Sequence, residues 1–176
     1  MSITKSPTQS QAGFTLVEIL LYAGIVALMT TAISGMLALS LQARVKNQVI
    51  ESVESGAAIV IDDITKTIRN SESTVLTTDA QSNAIMTIDV FDAAKDPTIY
   101  QLQSGVMTKK EGASAAIQIS SSNIRLDDFI ATDQTPAGEL AQVISFSFLA
   151  QYNGDSTRQE FQYDADFTAA AQATTP

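Results

Sequence analysis

The sequence contains no cysteine and no histidine. It therefore supplies no disulfide, no thiol nucleophile, and no imidazole that would serve as a metal ligand or a general base. Neither the spacing of an EF-hand loop nor a glycine-rich phosphate-binding motif occurs in it. These absences exclude most hydrolase and zinc chemistry, and we expect a protein without enzyme activity, metal or cofactor.

Basic residues are scarce as well. Lysine and arginine together number 10 against 19 acidic residues, and the formal net charge is −9. Because an acidic chain repels phosphate backbones at long range, we expect no direct binding to nucleic acid. Close acidic pairs invite comparison with a catalytic dyad or a calcium site, but we interpret all three as solvent-facing carboxylates: Asp62 with Asp63, Asp127 with Asp128, and Asp164 with Asp166.

Charge is nearly absent from the N-terminal region. Lys5 is the only charged side chain in residues 1–13, and Glu18 is the only one in residues 14–41. A hydrocarbon core about 30 Å thick is crossed by roughly 20 apolar residues in a helix, so residues 14–41 are predicted to span a membrane. A secretory signal has a shorter apolar region, of about 7 to 15 residues, and a lipoprotein signal needs a cysteine. A plain membrane anchor remains the alternative.

A plain anchor does not explain Glu18. An acidic side chain inside hydrocarbon costs about 2.5 to 3.5 kcal/mol on insertion scales, and such residues are therefore usually paired and functional. A free α-amine created by a cut before Phe14 would be a suitable partner if it lay on a neighbouring subunit. Cleavage would then create the group that neutralises Glu18.

Residues 12–18 read Ala-Gly-Phe-Thr-Leu-Val-Glu, which resembles the class III signal of type IV pilins and type II secretion pseudopilins. The resemblance implies that prepilin peptidase cuts between Gly13 and Phe14 and methylates Phe14, and that Glu18 serves in filament assembly. It also implies further partners, namely other pilin or pseudopilin subunits, an inner-membrane assembly platform and the lipid bilayer. The implied location is the cytoplasmic (inner) membrane, crossed once with the C-terminal domain outside, and then the pilus or pseudopilus.

One position departs from the family pattern. Many major pilins carry a helix-breaking proline where this sequence has Gly35. The lack of that proline and of a C-terminal disulfide loop favours a structural minor subunit of a type IV pilus or a type II secretion-like pseudopilus, and the segment 62–69 is similar to J-type pseudopilins. The alternative is a tip-exposed pilin that binds a surface, a secretion substrate or the DNA-uptake machinery, and a membrane-anchored enzyme is a third hypothesis.

Small residues recur every four positions along the apolar segment. Such a stripe lets helices approach closely in lipid, where no hydrophobic force drives them together. Helix packing inside a filament is one interpretation, and the general abundance of small residues in membrane helices is the other. The stripe consists of Ala23, Ala27, Thr31 and Gly35.

Beyond Leu41 the apolar residues follow steps of four and three, which predicts an amphipathic helix to about Asn70. From Ser71 the period changes to two, as in strands with one buried face. Gly105 lies between the apolar runs 98–102 and 106–109 and predicts a hairpin, and a second hairpin is predicted for 117–119 and 124–126.

The predicted fold class is α+β, in which a long N-terminal helix packs against an antiparallel β-sheet domain. The first half of this helix is predicted to span the membrane, and the second half is predicted to be amphipathic. Gly56 and the β-branched residues 59–61 lower helix propensity and mark the expected position of any kink. The predicted organisation is a prepilin leader at 1–13, a membrane and assembly helix at 14–41, an amphipathic helix at 42–70, an extracytoplasmic β-rich domain at 71–167 and a flexible tail at 168–176.

Overall fold

A computed structural model describes residues 15–154 and 163–173 of the chain. These residues fall into two compact units, and the division lies between Gln42 and Ala43. Its fold is α+β as predicted, with one long helix and antiparallel strands.

The helix α1 runs without a break from Leu16 to Arg69. It confirms the predicted continuous helix to within two residues at the ends that the structure describes. Lys66 and Arg69 lie in its last turn, where cations interact favourably with the helix dipole. The helix assignment is continuous through Gly56, which is buried against Ile124.

The strands form two antiparallel sheets rather than the single sheet that the sequence predicts. Sheet A has the order β1-β2-β3-β4-β5, in which each strand pairs with its neighbour along the chain. Sheet B has the order β6-β7-β8. The strand bounds are β1 Ser71–Thr78, β2 Ala84–Val90, β3 Thr98–Gln103, β4 Val106–Glu111, β5 Ile117–Gln118, β6 Ile124–Asp133, β7 Val143–Tyr152 and β8 Asp164–Gln172.

The second half of α1 supplies one buried stripe to the core of the unit 43–176. This stripe packs with the inner faces of both sheets in a single apolar cluster, and each large side chain fully removed from water contributes about 1.5–3 kcal/mol. The helix contributes Val49, Val53, Gly56, Ala57, Val60, Ile64 and Ile68. The large buried side chains of the sheets include Met86, Ile88, Tyr100, Met107, Phe129, Phe146 and Phe148.

Two expectations about the strands are wrong. The segments 117–119 and 124–126 do not form a hairpin, because β5 pairs with β4 and β6 pairs with β7. The residues between them do turn the chain, since the Ile124 amide donates to the Ser121 carbonyl at 3.2 Å, but the turn carries it from one sheet to the other.

The predicted tail is the second error. Strand β8 continues to Gln172 and pairs with β7 along its whole length, and Ala171 and Ala173 are buried. The flexible tail therefore does not begin at 168, and only residues 174–176 of it lie outside the described part of the chain.

Candidate functional site

The candidate site lies at the start of α1. The Glu18 amide donates a hydrogen bond to Thr15 Oγ1 at 3.3 Å, and the Ile19 amide donates to the Thr15 carbonyl at 3.2 Å. Thr15 is therefore the N-cap of the helix, and Glu18 stands three residues later, at the position of the acid in a capping box. This local role was not predicted above, although a threonine followed three residues later by a glutamate signals it.

The cap fixes where the helix begins relative to the predicted cleavage site. Gly13 and Phe14 lie outside the described residues, so the predictions of cleavage and methylation stay predictions. Leu16 is the first helical residue. The capped end also suits the charge of Glu18, because the helix dipole favours an acid in the first turn.

Glu18 differs from its surroundings in exposure. It is half-buried, whereas every other residue from 15 to 42 is exposed. These exposed residues include large apolar side chains such as Leu28, which is 74% exposed, and Met36, which is 76% exposed. An apolar surface of this extent is typical of a segment covered by lipid or by other helices. Among the described residues, α1 is the one helix long and apolar enough to span a membrane.

The four residues of the small stripe lie in this exposed part of α1. Thr31 Oγ1 donates to the Ala27 carbonyl at 2.8 Å, so its hydroxyl is satisfied within the helix and suits an apolar environment. A Cβ atom added at Gly35 would meet nothing within 4 Å. The chain's own packing therefore does not require glycine at 35, and any such requirement would come from a neighbouring helix.

A second polar centre, which the sequence analysis did not predict, lies where α1 meets sheet A. The Tyr100 hydroxyl donates to Asp63 Oδ2 at 2.6 Å and lies 2.6 Å from Thr67 Oγ1. Lys109 Nζ lies 3.2 Å from Asp63 and 3.0 Å from Glu111. The side chain of Lys109 is only 12% exposed, so its charge is satisfied inside the protein by two carboxylates. We call these five residues the Tyr100 network.

The electrostatics of the Tyr100 network follow from its burial. Burial raises the pKa of the Tyr100 hydroxyl well above its usual range, and the hydrogen bond to Asp63 raises it further. Burial alone would lower the pKa of Lys109, but the hydrogen bonds to Glu111 and Asp63 outweigh it and raise that pKa. The network therefore holds a neutral tyrosine and a charged lysine at neutral pH. This arrangement joins helix to sheet and presents no free nucleophile.

The acidic pairs fall in different surroundings. Asp62 forms an exposed i,i+4 pair with Lys66 at 2.6 Å, while Asp63 belongs to the Tyr100 network. Asp127 contacts Arg125 at 3.2 Å. Within the described ranges, no group of three or more carboxylates is arranged to hold a metal ion.

A polar groove of about 780 Å³ lies between sheet A and β6. Its walls include Asp79, Gln101, Gln103, Arg125 and Asp128. Amides and charges dominate these walls, so the groove suits a polar ligand better than an apolar one. Its volume is about twice the 380 Å³ of the cleft that Asp63 and Lys109 line.

The chain was also compared with known proteins. No family model, no curated protein and no solved structure matches it.

Proposed function

We propose that this chain is a type IV pilin-like prepilin, and that its mature form is a structural minor subunit of a type IV pilus or a type II secretion-like pseudopilus. One combination supports the proposal: a Gly13-Phe14 junction stands directly before a capped helix. That helix is apolar to residue 42, exposes every residue of this part except Glu18, and carries Glu18 as its single acid there. A plain membrane anchor would need neither the junction nor the acid.

The proposed mechanism uses the chain's own groups in sequence. Prepilin peptidase hydrolyses the Gly13–Phe14 bond with one water and releases residues 1–13. It then transfers a methyl group from a methylsulfonium donor to the new α-amine of Phe14, which loses a proton, while the donor leaves as a thioether. The first half of α1 holds the subunit in the cytoplasmic membrane until the assembly platform inserts it among other subunits. The carboxylate of Glu18 then pairs with the α-amine of a neighbouring subunit, which offsets the cost of an acid in an apolar environment. The second half of α1 carries the β domain on the outside.

A tip-exposed binding subunit is the second candidate, and the polar groove of about 780 Å³ favours it. Replacing Gln103 and Arg125 with alanine would remove two polar side chains that line the groove and would leave the apolar segment 15–42 unchanged. Filaments that keep the variant subunit but lose adhesion or substrate capture would support the binding function. Unchanged behaviour would leave the purely structural function.

The first test of the proposal is the processing of two glycine variants in cells that contain prepilin peptidase. Gly13→Val should block cleavage, because a branched side chain crowds the bond that is cut, and the protein should migrate as the uncut form. Gly24→Val is the matched control, because a Cβ atom at Gly24 meets nothing within 4 Å, and it should be cut normally. Normal cleavage of Gly13→Val would overturn the assignment of the cleavage site.

A further inference from the structure

The edge strands of the two sheets differ in how their free backbone groups are covered. A free edge exposes unpaired amides and carbonyls and invites another strand to pair, so proteins commonly cover or shorten it. At the β1 edge, the side chain of Gln142 accepts from the Thr74 amide at 2.7 Å and donates to the Thr74 carbonyl at 2.9 Å. Strand β5 has only two residues. Strand β6 is tied to sheet A by a bond of 2.9 Å from the Leu126 amide to the Gly105 carbonyl.

Strand β8 has no such cover within the described part of the chain. It is nine residues long and pairs with β7 on one side only. The Ala173 amide donates to the Gln142 carbonyl at 2.8 Å, and the Tyr152 amide donates to the Tyr163 carbonyl at 3.2 Å. Because hydrogen-bonded and non-hydrogen-bonded pairs alternate in an antiparallel ladder, the odd-numbered residues of β8 bond to β7.

The even-numbered residues of β8 consequently direct their backbone amides and carbonyls away from β7, toward the open edge. All five are exposed: Asp164, Asp166, Thr168, Ala170 and Gln172. The odd-numbered side chains lie on the inner face, where Ala165, Phe167 and Ala169 are only half-buried. An incoming strand would thus gain both backbone hydrogen bonds and apolar contact.

We propose that β8 pairs in antiparallel fashion with β8 of a second copy of this chain, about a twofold axis at Thr168. In this register all five outward-directed residues find partners, and sheet B becomes a continuous sheet of two copies. Asp164 lies opposite Gln172, and Asp166 lies opposite Ala170, so no two carboxylates face each other. On the inner face the bulky Phe167 lies opposite Ala169.

The charges on the edge select the second copy and this register. A parallel, in-register pair would place Asp164 beside Asp164 and Asp166 beside Asp166, and like charges directly opposite destabilise a sheet. An antiparallel pair shifted to centre on Asp166 would bring its two copies face to face. The register centred on Thr168 pairs the acidic half of each strand with the uncharged half of the other.

The absence of cysteine from the chain allows a direct test with single cysteines. In the full-length protein in detergent, Thr168→Cys places two cysteines in a hydrogen-bonded pair, about 5.5 Å apart between Cα atoms, within the range of about 4.4–6.8 Å for disulfides. Ser147→Cys is the matched control on the central strand β7. Its copies would lie three strand spacings apart, about 14 Å, and should not join. Mild oxidation should give a covalent dimer for Thr168→Cys and a monomer for the control.

A proline separates strand pairing from chance collision. Ala170→Pro, added to Thr168→Cys, removes an amide that faces the open edge and leaves the bonds from β8 to β7 in place. Circular dichroism should show a folded domain, and the disulfide-linked dimer should be lost. The exposed apolar part of α1 can bring two chains together in detergent by itself. The position-specific disulfide is therefore the readout, rather than the size of the particle.

Three results would overturn the proposal. They are a Thr168→Cys dimer yield no higher than that of Ser147→Cys, a dimer that persists in the Ala170→Pro background, and a disulfide in cells that joins position 168 to a different protein. None of these results depends on whether the Gly13–Phe14 bond is cut. The pairing of β8 and the proposed function therefore fail separately.

Discussion

Glu18 has two roles open to it, and they make different demands on the side chain. As the acid of a capping box it needs only an acceptor that reaches back to the start of the helix, which glutamine also provides. As the partner of an α-amine in the filament it needs a negative charge. The two roles can therefore be separated by one substitution.

We predict that Glu18→Gln leaves cleavage intact and sharply lowers the amount of subunit recovered in sheared filaments. Glutamine keeps the cap but cannot neutralise the α-amine of a neighbour. Thr15→Ser is the control that preserves the cap hydroxyl, and its recovery should match the unaltered protein. Equal recovery of Glu18→Gln would remove the charge from the mechanism and leave Glu18 as a capping residue.

The hydroxyl of Tyr100 is the second group whose role one substitution can test. Tyr100→Phe deletes a hydroxyl that donates to Asp63 and lies within hydrogen-bond distance of Thr67, and a hydrogen bond to a charged group contributes about 1.5–3 kcal/mol. We expect the free energy of unfolding of the β domain, measured with urea in the full-length protein, to fall by about 1–2 kcal/mol. The loss stays in this range because Lys109 still neutralises Asp63. Tyr22→Phe, at an exposed tyrosine of the apolar segment, should leave the unfolding midpoint unchanged.

The same variant has a pH signature. An unfolded tyrosine ionises near pH 10, whereas the raised pKa keeps folded Tyr100 neutral, so stability is present below about pH 10 and falls as the pH rises beyond it. Lys109 also lowers the stability at high pH. Its pKa is raised in the folded protein, so the stability that its charge contributes is lost as the pH rises through that raised pKa. The stability gap between the unaltered protein and Tyr100→Phe should narrow above about pH 10. A gap that widens there would contradict the assignment of the hydroxyl.

Individual side chains show how far sequence reasoning reached. The charge and position of Glu18 were evident because it interrupts an apolar run. The Tyr100 network was not, because its members are dispersed from Asp63 to Glu111 and meet only after the helix packs on sheet A. No local pattern distinguishes a lysine that will be buried between two carboxylates from one that will be exposed.

At the level of elements, local signals succeeded and pairing partners did not follow from them. The hairpin β3–β4 was predicted correctly because Ser104 and Gly105 form its turn, and Gly105 adopts a positive φ of 81° at no steric cost. The alternation in β6 assigned its faces correctly, with Ile124 and Leu126 buried, whereas Ile117 of β5 is exposed. Neither pattern identified the neighbouring strand, because strand pairing is set by contacts distant in sequence.

Strand β1 was not predicted, and the second half of β8 was assigned to a flexible tail, both for physical reasons. A bulge between Ser71 and Ser73 breaks the period of two in β1, so its buried residues, Ser71 and Thr74, are three apart. The inner face of the second half of β8 consists of alanines, and the contrast between alanine and threonine is too small to reveal an amphipathic strand. Both strands depend on tertiary pairing more than on their own pattern.

Helix α1 packs closely against strand β6 at Gly56, and this contact can be tested. A Cβ atom at Gly56 would lie 2.7 Å from Ile124 Cδ1, and Ile124 is only 2% exposed. Gly56→Ala gains about 1 kcal/mol of helix propensity but overpacks the core by about 1–3 kcal/mol, so we expect a net loss of stability. Ile124→Val removes the Cδ1 atom, so it should relieve part of the overpacking that Gly56→Ala causes.

The measurement is urea unfolding of the single and double variants, with Gly35→Ala as the control at an open position. The effect of Gly56→Ala should be smaller in the Ile124→Val background, and Gly35→Ala should not change the unfolding of the domain. Strictly additive effects of the two substitutions would show that the close approach does not limit packing here.

For the whole molecule, the two units place opposite chemistry on one chain. The segment 15–42 is apolar and exposed, and the unit 43–176 encloses a core and carries almost all of the charge. A single helix shared by both is apolar enough in its first half to span a membrane. This division suits a subunit that is stored in a membrane and assembled through its helix, which is the central claim of the proposed function.

The most direct test of that claim is the intact mass and N-terminal residue of the membrane-extracted protein, made with and without active prepilin peptidase. When the peptidase is active, we predict a chain that has lost residues 1–13 and begins with methylated Phe14, and when it is inactive, an uncut chain. An uncut chain under both conditions would rule out a prepilin and leave a membrane-anchored domain.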